Sequence, residues 1–182
     1  MKKTVLYILR LSVTLLLITA IAAGALAAVN NITKDAIAEN RLAKTRKALE
    51  EVLPGAQNMT MTDPGSGIVK GVYTPSADSP VQGWAVEVAP GSGFGGEIRM
   101  MVGINTDGTV SGIAIITHAE TPGLGAVAAA KTPAGVAFRD SFLGDSSPVA
   151  MDDIDALSGA TITSSAVLEG VNAALSYVAN MD

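Results

Sequence analysis

The sequence predicts an α+β domain behind a hydrophobic N-terminal helix, and three patterns carry this prediction. Residues 11–29 form an uncharged apolar run, residues 84–117 contain alternating apolar positions, and residues 164–179 have one apolar helical face. Strands followed by a helix that covers them are typical of α+β domains. The 182 residues leave room for one domain of roughly 150 residues after the apolar run.

Charge is divided unevenly along the chain. Of its 12 basic and 17 acidic residues, residues 1–47 hold eight and two, which leaves residues 48–182 strongly acidic. Most of that acidic part would repel a polyanion, so nucleic acid is not an expected partner. The lack of cysteine excludes disulfides, cysteine-ligated zinc and thiolate-held iron–sulfur clusters. We expect no catalytic residue and no metal ligand of the chain's own.

The apolar run follows a basic segment with Lys2, Lys3 and Arg10. At about 1.5 Å per residue, a helix of residues 11–29 approaches the ~30 Å hydrocarbon core, which predicts one transmembrane helix. The alternative is a cleaved signal peptide, because residues 25–27 read Ala-Leu-Ala at the place of a cleavage site. In both cases the rest of the chain is exported, and the anchor makes it a single-pass protein of the cell membrane with its C-terminal domain outside the cytoplasm.

A second helix is predicted directly after the membrane run. Residues 33–53 are good helix formers with apolar positions at Ala38, Leu42, Leu49 and Leu53, and Pro54 followed by glycine ends the pattern. We therefore divide the chain into a cytoplasmic N-terminus with a transmembrane helix (1–29), a connecting helix (30–56) and an extracytoplasmic domain (57–182).

The domain begins with a turn-rich segment, residues 58–80, which predicts loops and edge structure with short strand candidates at 68–69 and 72–73. Alternation then predicts strands near 84–88 and 98–104, and the turn at 106–109 leads into a third strand at 110–117. The expected sheet is twisted and antiparallel. Residues 126–142 are expected to be helical in part. The final helix presents one apolar face, formed by Val167, Val171, Ala174, Leu175 and Val178.

Residues 155–161 read Asp-Ala-Leu-Ser-Gly-Ala-Thr and lie directly before the final helix. Helix N-termini offer unpaired N–H groups and the positive end of the helix dipole, so a phosphate site is physically reasonable here. Ser, Thr, Asp and Gly before a helix are also ordinary capping and turn residues. Composition alone favours capping.

Residues 118–125 read His-Ala-Glu-Thr-Pro-Gly-Leu-Gly and follow the third strand. The loop lacks bulk: Pro122 fixes the chain direction, the two glycines allow close approach of the backbone, and Leu124 offers an apolar surface. Such a loop suits a flat ligand, but a plain tight turn has the same composition.

Both motifs resemble one family. The first is similar to the flavinylation motif, Asp-x-x-Ser-Gly-Ala-Thr, of the FMN-binding domain in Rnf and Na⁺-translocating NADH:quinone reductase complexes. The second is similar to the segment beside the flavin in the same family. The resemblance covers nearly the whole chain, and the compact length is closer to the G subunit of Rnf complexes than to the C subunit of the reductase. In one departure, the Ala-rich residues 126–140 replace a Lys- and Trp-bearing stretch, which affects the expected partner contacts.

The resemblance implies FMN joined covalently through a phosphoester to Thr161. It places two groups of residues at the cofactor: Asp155, Ser158, Gly159, Ala160, Thr161 and Thr163, and Glu120, Thr121, Pro122, Gly123, Leu124 and Gly125. We interpret Asp155 and Ser158 as recognition and capping residues, and we expect Glu120 to orient its loop through backbone N–H groups.

The resemblance also implies partners. A flavin transferase that uses FAD and Mg²⁺ would attach the FMN, and the other membrane subunits of an Rnf-type complex would surround this subunit. Such a complex couples electron flow between ferredoxin and NAD to movement of Na⁺ or H⁺, with this subunit as a redox carrier that has no catalysis of its own.

Two alternatives remain, a free-standing exported flavoprotein and an anchored assembly module without a redox group. For single residues, we expect His118 to be a hydrogen-bonded strand-end residue rather than a flavin neighbour. Trp84 is expected in the core, and Asp152, Asp153 and Asp155 in a solvated loop.

Overall fold

The computed structural model describes residues 2–56, 59–62, 67–76 and 82–181. The chain forms two compact units, Met1–Ala43 and Lys44–Asp182. The predicted boundaries at 29/30 and 56/57 stay predictions. Among the described residues, the elements in chain order are α1 (Lys2–Val52), β1 (Met59–Thr62), β2 (Val69–Pro75), β3 (Trp84–Val88), β4 (Arg99–Ile104), β5 (Val110–Thr117), a 3₁₀ helix (Gly125–Ala129), α2 (Pro133–Asp140), a second 3₁₀ helix (Met151–Asp153) and α3 (Thr161–Ala179).

The predicted membrane run and connecting helix are one continuous helix, α1, of 51 residues. It is long and apolar enough to cross a membrane, with a mean hydropathy of 2.3 in its apolar window. The hydroxyls of Thr14, Thr19 and Thr33 donate to carbonyls four residues earlier at 2.8–3.0 Å, so these polar groups are satisfied within the helix. Pro54 follows α1 closely and cannot continue it.

The apolar set predicted for the end of α1 is only half right. Leu49 and Leu53 are buried, but Ala38 and Leu42 are exposed. The buried stripe is confined to the last turns of α1 because only these residues pack on the sheet; its other members are Ala48 and Val52.

Five antiparallel strands form one sheet in the order β1-β2-β3-β4-β5. The three strands predicted from alternation are β3, β4 and β5, and the turn between the last two is held by the Asp107 carboxylate, which accepts the N–H of Thr109 at 3.0 Å. The two short candidates in the turn-rich segment are a single strand, β2. The loops predicted around residues 63–66 and 77–80 lie outside the described residues.

Both faces of the sheet are buried. On one face, which we call the α3 face, Val86, Val88 and Met100 pack with α3 and with Phe138 and Phe142 of α2 and the turn that follows it. The other, the α1 face, places Ala85, Met101 and Ala114 against the end of α1. The half-buried Trp84 packs against the larger core, as expected.

The close approach of α1 to the sheet depends on small residues in the strands. A Cβ atom added at Gly112 would lie 3.2 Å from Val52 Cα. The neighbouring Ser111 hydroxyl donates to the Val52 carbonyl at 3.0 Å, which gives one of the last carbonyls of α1 a partner.

The helical predictions for the C-terminal half are confirmed. Residues 126–142 contain the first 3₁₀ helix and α2, which begins with Pro133 after a Thr132 cap. α3 begins at Thr161, three residues before the predicted start, and all five residues of its predicted apolar face are buried. α3 therefore starts at the last residue of the Asp-x-x-Ser-Gly-Ala-Thr motif.

Candidate functional site

The start of α3 has no side-chain cap among the described residues. Its N-cap is Ala160, and the loop before it is tied by Ser164, whose hydroxyl accepts the Leu157 N–H at 3.0 Å and donates to the Ala160 carbonyl at 3.2 Å. The interpretation of Asp155 and Ser158 as capping residues is therefore wrong, and both are exposed. The first N–H groups of α3 therefore have no capping side chain among the described residues.

A cavity of about 330 Å³ lies at this helix start. Three segments form it: the first turn of α3 with the two residues before it, the loop that follows β5, and the glycine-rich loop at residues 91–96. Its lining residues are Phe94, Glu120, Thr121, Leu124, Gly125, Gly159, Ala160, Thr161, Ile162 and Thr163.

Glu120 connects the three segments, although only 6% of its surface is exposed. One carboxylate oxygen, Oε1, accepts the Gly95 N–H at 2.9 Å, and the other accepts the hydroxyl of Thr163. We expected backbone N–H contacts within Glu120's own loop, but the N–H that it accepts belongs to the glycine-rich loop. Buried carboxylates need such partners, so these contacts fix the cavity walls relative to one another.

Two glycines are required by this geometry. Gly159 has φ +72°, a conformation that other residues rarely adopt, and it lines the cavity two residues before Thr161. Gly125 packs against Thr163 and Glu120 so closely that a Cβ atom would collide with both side chains.

Thr161 is exposed and is the first residue of α3. Its side chain lines the cavity beside the apolar surfaces of Leu124 and Ile162, which are 46% and 52% exposed. The site therefore combines an accessible hydroxyl, the N–H groups of a helix start and an apolar wall.

His118 lies outside this arrangement. It is exposed just after β5, and its Nδ1 accepts the Glu120 N–H at 3.2 Å. This contact agrees with the expectation of a hydrogen-bonded strand-end residue.

Comparison with known proteins identifies the two parts of the chain. A model described as the RnfG N-terminal region matches residues 1–52, and a model described as the FMN-binding domain matches residues 93–176. The G subunit of the Na⁺-translocating ferredoxin:NAD⁺ oxidoreductase complex from Acetobacterium woodii is 33% identical, with 96% of this chain and 93% of the relative covered. The chain belongs to the family of Rnf-type G subunits.

Other members of this family are similar over different lengths. The G subunit of the ion-translocating oxidoreductase complex from Methanosarcina acetivorans is 33% identical over 94% of each chain. The G subunit of a proton-translocating ferredoxin:NAD⁺ oxidoreductase complex from Clostridium ljungdahlii is 41% identical over half of each chain. The apolar helix α1, together with this membership, makes the protein a membrane-anchored one.

The cavity lies within the FMN-binding domain, and it gathers most of the residues predicted at the cofactor. Glu120, Thr121, Leu124, Gly125, Gly159, Ala160, Thr161 and Thr163 line it. Pro122, Gly123, Ser158 and Asp155 are exposed and are not among its lining residues. Contact of any of these residues with FMN stays a prediction.

Sequence reasoning missed two cavity residues of this Rnf-type protein, Phe94 and Ile162. Phe94 is 70% exposed, whereas the other two phenylalanines of the chain are fully buried. The available signal was a lone aromatic residue among glycines. For Ile162, the signal was an apolar residue off the buried stripe of α3.

The acidic loop before α3 lies at the surface. Asp152, Asp153 and Asp155 are exposed, and the Asp153 carboxylate accepts the Ala150 N–H at 2.9 Å.

Proposed function

We propose that this protein is an electron-transfer subunit of an Rnf-type complex and carries FMN through a phosphoester to Thr161. The observation that carries the proposal is the position of Thr161. Its exposed hydroxyl side chain stands at the first residue of a helix and at the edge of an apolar cavity in the FMN-binding domain.

The residues present fit FMN. Phe94, Leu124 and Ile162 supply apolar surface for a flat ring, and about 330 Å³ lies at the small end of ligand pockets, roughly 300–1,000 Å³. The start of α3 can stabilise the remaining negative charge of a phosphodiester by about 0.3–1 kcal/mol. FMN supplies redox chemistry when bound. The chain itself holds and orients: Thr161 has a stiff χ1, and Glu120 fixes the cavity walls.

Attachment needs a second protein. A threonine hydroxyl is a weak nucleophile, and forming a phosphoester requires a base and a metal that polarises the phosphate. In our proposal a flavin transferase supplies both, with FAD as the donor. The Thr161 oxygen bonds to the FMN phosphorus, the bond from that phosphorus to the AMP oxygen breaks, AMP leaves, and the hydroxyl proton passes to the transferase base. The exposure of Thr161 and the uncapped helix start keep the acceptor accessible.

The complex provides the electron donor and acceptor. Relatives are named for translocation of Na⁺ and of protons, and we propose coupling of ferredoxin–NAD electron flow to one of these ions. The basic head before the apolar run supports an N-terminus in the cytoplasm and a domain outside it. In this proposal, residues 1–29 are the cytoplasmic N-terminus and transmembrane helix, residues 30–56 are the connecting helix, and residues 57–182 are the extracytoplasmic domain.

The test is coexpression of the full chain with a flavin transferase. We expect flavin fluorescence to stay with the protein on a denaturing gel, and the peptide containing Thr161 to gain the mass of FMN minus water. Thr161→Ala should lose both signals. Thr117→Ala, which removes an exposed threonine hydroxyl of β5 outside the cavity, should keep them and is the matched control.

Three results would contradict parts of the proposal. A colourless protein in the presence of the transferase favours the assembly module without a redox group. Flavin that washes away on denaturation rules out the covalent bond. Purification from the native membrane in mild detergent, without any neighbouring subunit, favours the free-standing flavoprotein.

A further inference from the structure

A second pocket, of about 230 Å³, lies on the α1 face and shares no residue with the cavity at the start of α3. The end of α1, strand β5, the segment between the first 3₁₀ helix and α2, and α2 itself form its walls. Its lining residues are Lys44, Lys47, Ala48, Glu51, Ala114, Ile115, Ile116, Ala129, Lys131 and Arg139.

Positive charge is concentrated in this pocket. The unit from residue 44 onward contains seven basic and fifteen acidic residues. Four of the seven basic residues line the pocket, against one carboxylate, that of Glu51. The three lysines and Glu51 are exposed and only Arg139 is buried, so the site presents a net charge of +3 to solvent in an otherwise acidic unit, which favours an anionic ligand.

Arg139 shows that the charge is not balanced within the described residues. The side chain is buried, with 9% of the residue exposed. Its Nη1 donates to the Ala128 and Ala130 carbonyls at 2.6 and 3.0 Å, and no described carboxylate pairs with it. Buried charges in proteins normally have a counter-charge, because carbonyl dipoles orient a guanidinium without neutralising it.

We propose that this pocket binds a phosphate group, supplied either by a phospholipid headgroup or by free phosphate. A guanidinium held in a fixed orientation binds phosphate through its forked N–H groups, and lysines add point charges around it. A phosphate dianion would offset most of the +3. The volume is below the roughly 300 Å³ of pockets for drug-sized ligands, so a single charged group fits better than a nucleotide.

The test uses the full chain in micelles of a maltoside detergent, which carries no phosphate, and measures the melting temperature of the domain. One arm adds inorganic phosphate against chloride at equal ionic strength. The other arm replaces part of the detergent with phosphatidic acid and contains no free phosphate. No flavin is required, so failure here leaves the proposed function untouched.

The pocket variant is Lys47→Gln with Lys131→Gln. Its matched control is Lys34→Gln with Lys70→Gln, which removes the same charge from α1 and from the second unit at residues outside the pocket. All four lysines are exposed, so both variants are expected to fold. The general stabilising effect of phosphate acts on both alike and cancels in the comparison.

We expect a ligand-dependent rise in melting temperature in the parent and the control, and a weakening of binding by about tenfold or more in the pocket variant. A rise with inorganic phosphate identifies free phosphate as a sufficient ligand, and a rise only with phosphatidic acid identifies the phospholipid. The proposal is overturned if neither arm raises the melting temperature, or if both variants respond equally.

Discussion

The two faces of the sheet are covered by different kinds of side chains. The α3 face is closed by an apolar core with Phe138 and Phe142 at 5.5 Å in an edge-to-face arrangement. The α1 face has a smaller apolar cluster and also a buried carboxylate, Glu87, which pairs with Arg99 at 3.1 Å and accepts the Tyr73 hydroxyl at 3.4 Å. The cavity at the start of α3 lies on the side of the apolar core. The site therefore depends first on the packing of α3, and the α1 face can carry polar groups.

The largest effect is expected from the α3 face. Phe138→Ala removes a fully buried ring and should lower the free energy of unfolding by about 3–5 kcal/mol, measured by urea denaturation in detergent. Val136→Ala, at an exposed position of the same helix, should change it by less than about 0.5 kcal/mol. Equal losses in the two variants would show that the α3 face does not dominate stability.

A smaller effect is expected from the α1 face. Leu53→Ala should lower the free energy of unfolding by about 2–3 kcal/mol in the same measurement, because Leu53 belongs to the smaller of the two apolar clusters. The exposed Leu42→Ala is the control. Flavin attachment should survive Leu53→Ala. Its loss at a temperature where the domain stays folded would couple the α1 face to the cavity and contradict the separation of the two faces.

Substitution of Glu120 tests whether its hydrogen bonds hold the walls of the cavity together. Glu120→Gln keeps the shape and one acceptor but weakens two hydrogen bonds to a buried carboxylate, so we expect a loss of about 1–2 kcal/mol. Amide exchange at Gly95 should accelerate. Thr163→Val removes one of the two donors. If Glu120 joins the walls as described, the two substitutions together should cost less than the sum of their separate costs.

The smallest effect concerns pH and the α1 face. Burial, followed by the charge and hydrogen bond of Glu87, raises the pKa of Tyr73 from 10.0 to about 12. The folded protein thus keeps a proton that the unfolded chain releases near pH 10, and stability should fall as pH rises from 10 towards 12.

Absorbance at 295 nm, with Tyr73→Phe as the blank, follows this ionisation. Glu87→Gln should lower the pKa of Tyr73 only in part, because burial is the larger cause. A Tyr73 that ionises near 10.0 in the folded parent would show that the α1 face is open to water at this position.

Periodicity predicted the elements whose larger apolar side chains recur on one face, although both faces of β3 and β4 are buried. It identified β3, β4 and β5 and the five buried residues of α3, because a period of 2 or 3.6 directly reports one apolar face. It did not reveal that α1 covers the opposite face. The residues buried there, Ala85, Met101 and Ala114, form no apolar alternation of their own in the sequence, and the exposed Leu42 has the spacing of a core residue. A pattern shows which side of an element is apolar, but it does not identify the partner.

For the site, the two sequence motifs indicated where to look, but they did not show which contacts join their segments. Glu120 and Thr163 are 43 residues apart, and Gly95 is 25 residues from Glu120. Contacts of this range depend on the sheet order and on the packing of α3, so no local pattern reports them. Phe94 was missed for the same reason, because only the fold brings the glycine-rich loop to the start of α3.

The exposed rim of the cavity has a consequence for how a cofactor is retained. A pocket edged by Phe94 and Leu124, which are 70% and 46% exposed, is poorly suited to holding a freely dissociating ligand. A covalent bond to Thr161 would keep the cofactor at the cavity without the need for high binding affinity. For a short tether, the effective concentration of the cofactor there would be in the millimolar range or higher, and dilution would not lower it. The rim then has no need to close over the ring, and its openness becomes an advantage, because a redox partner can approach without displacing a lid.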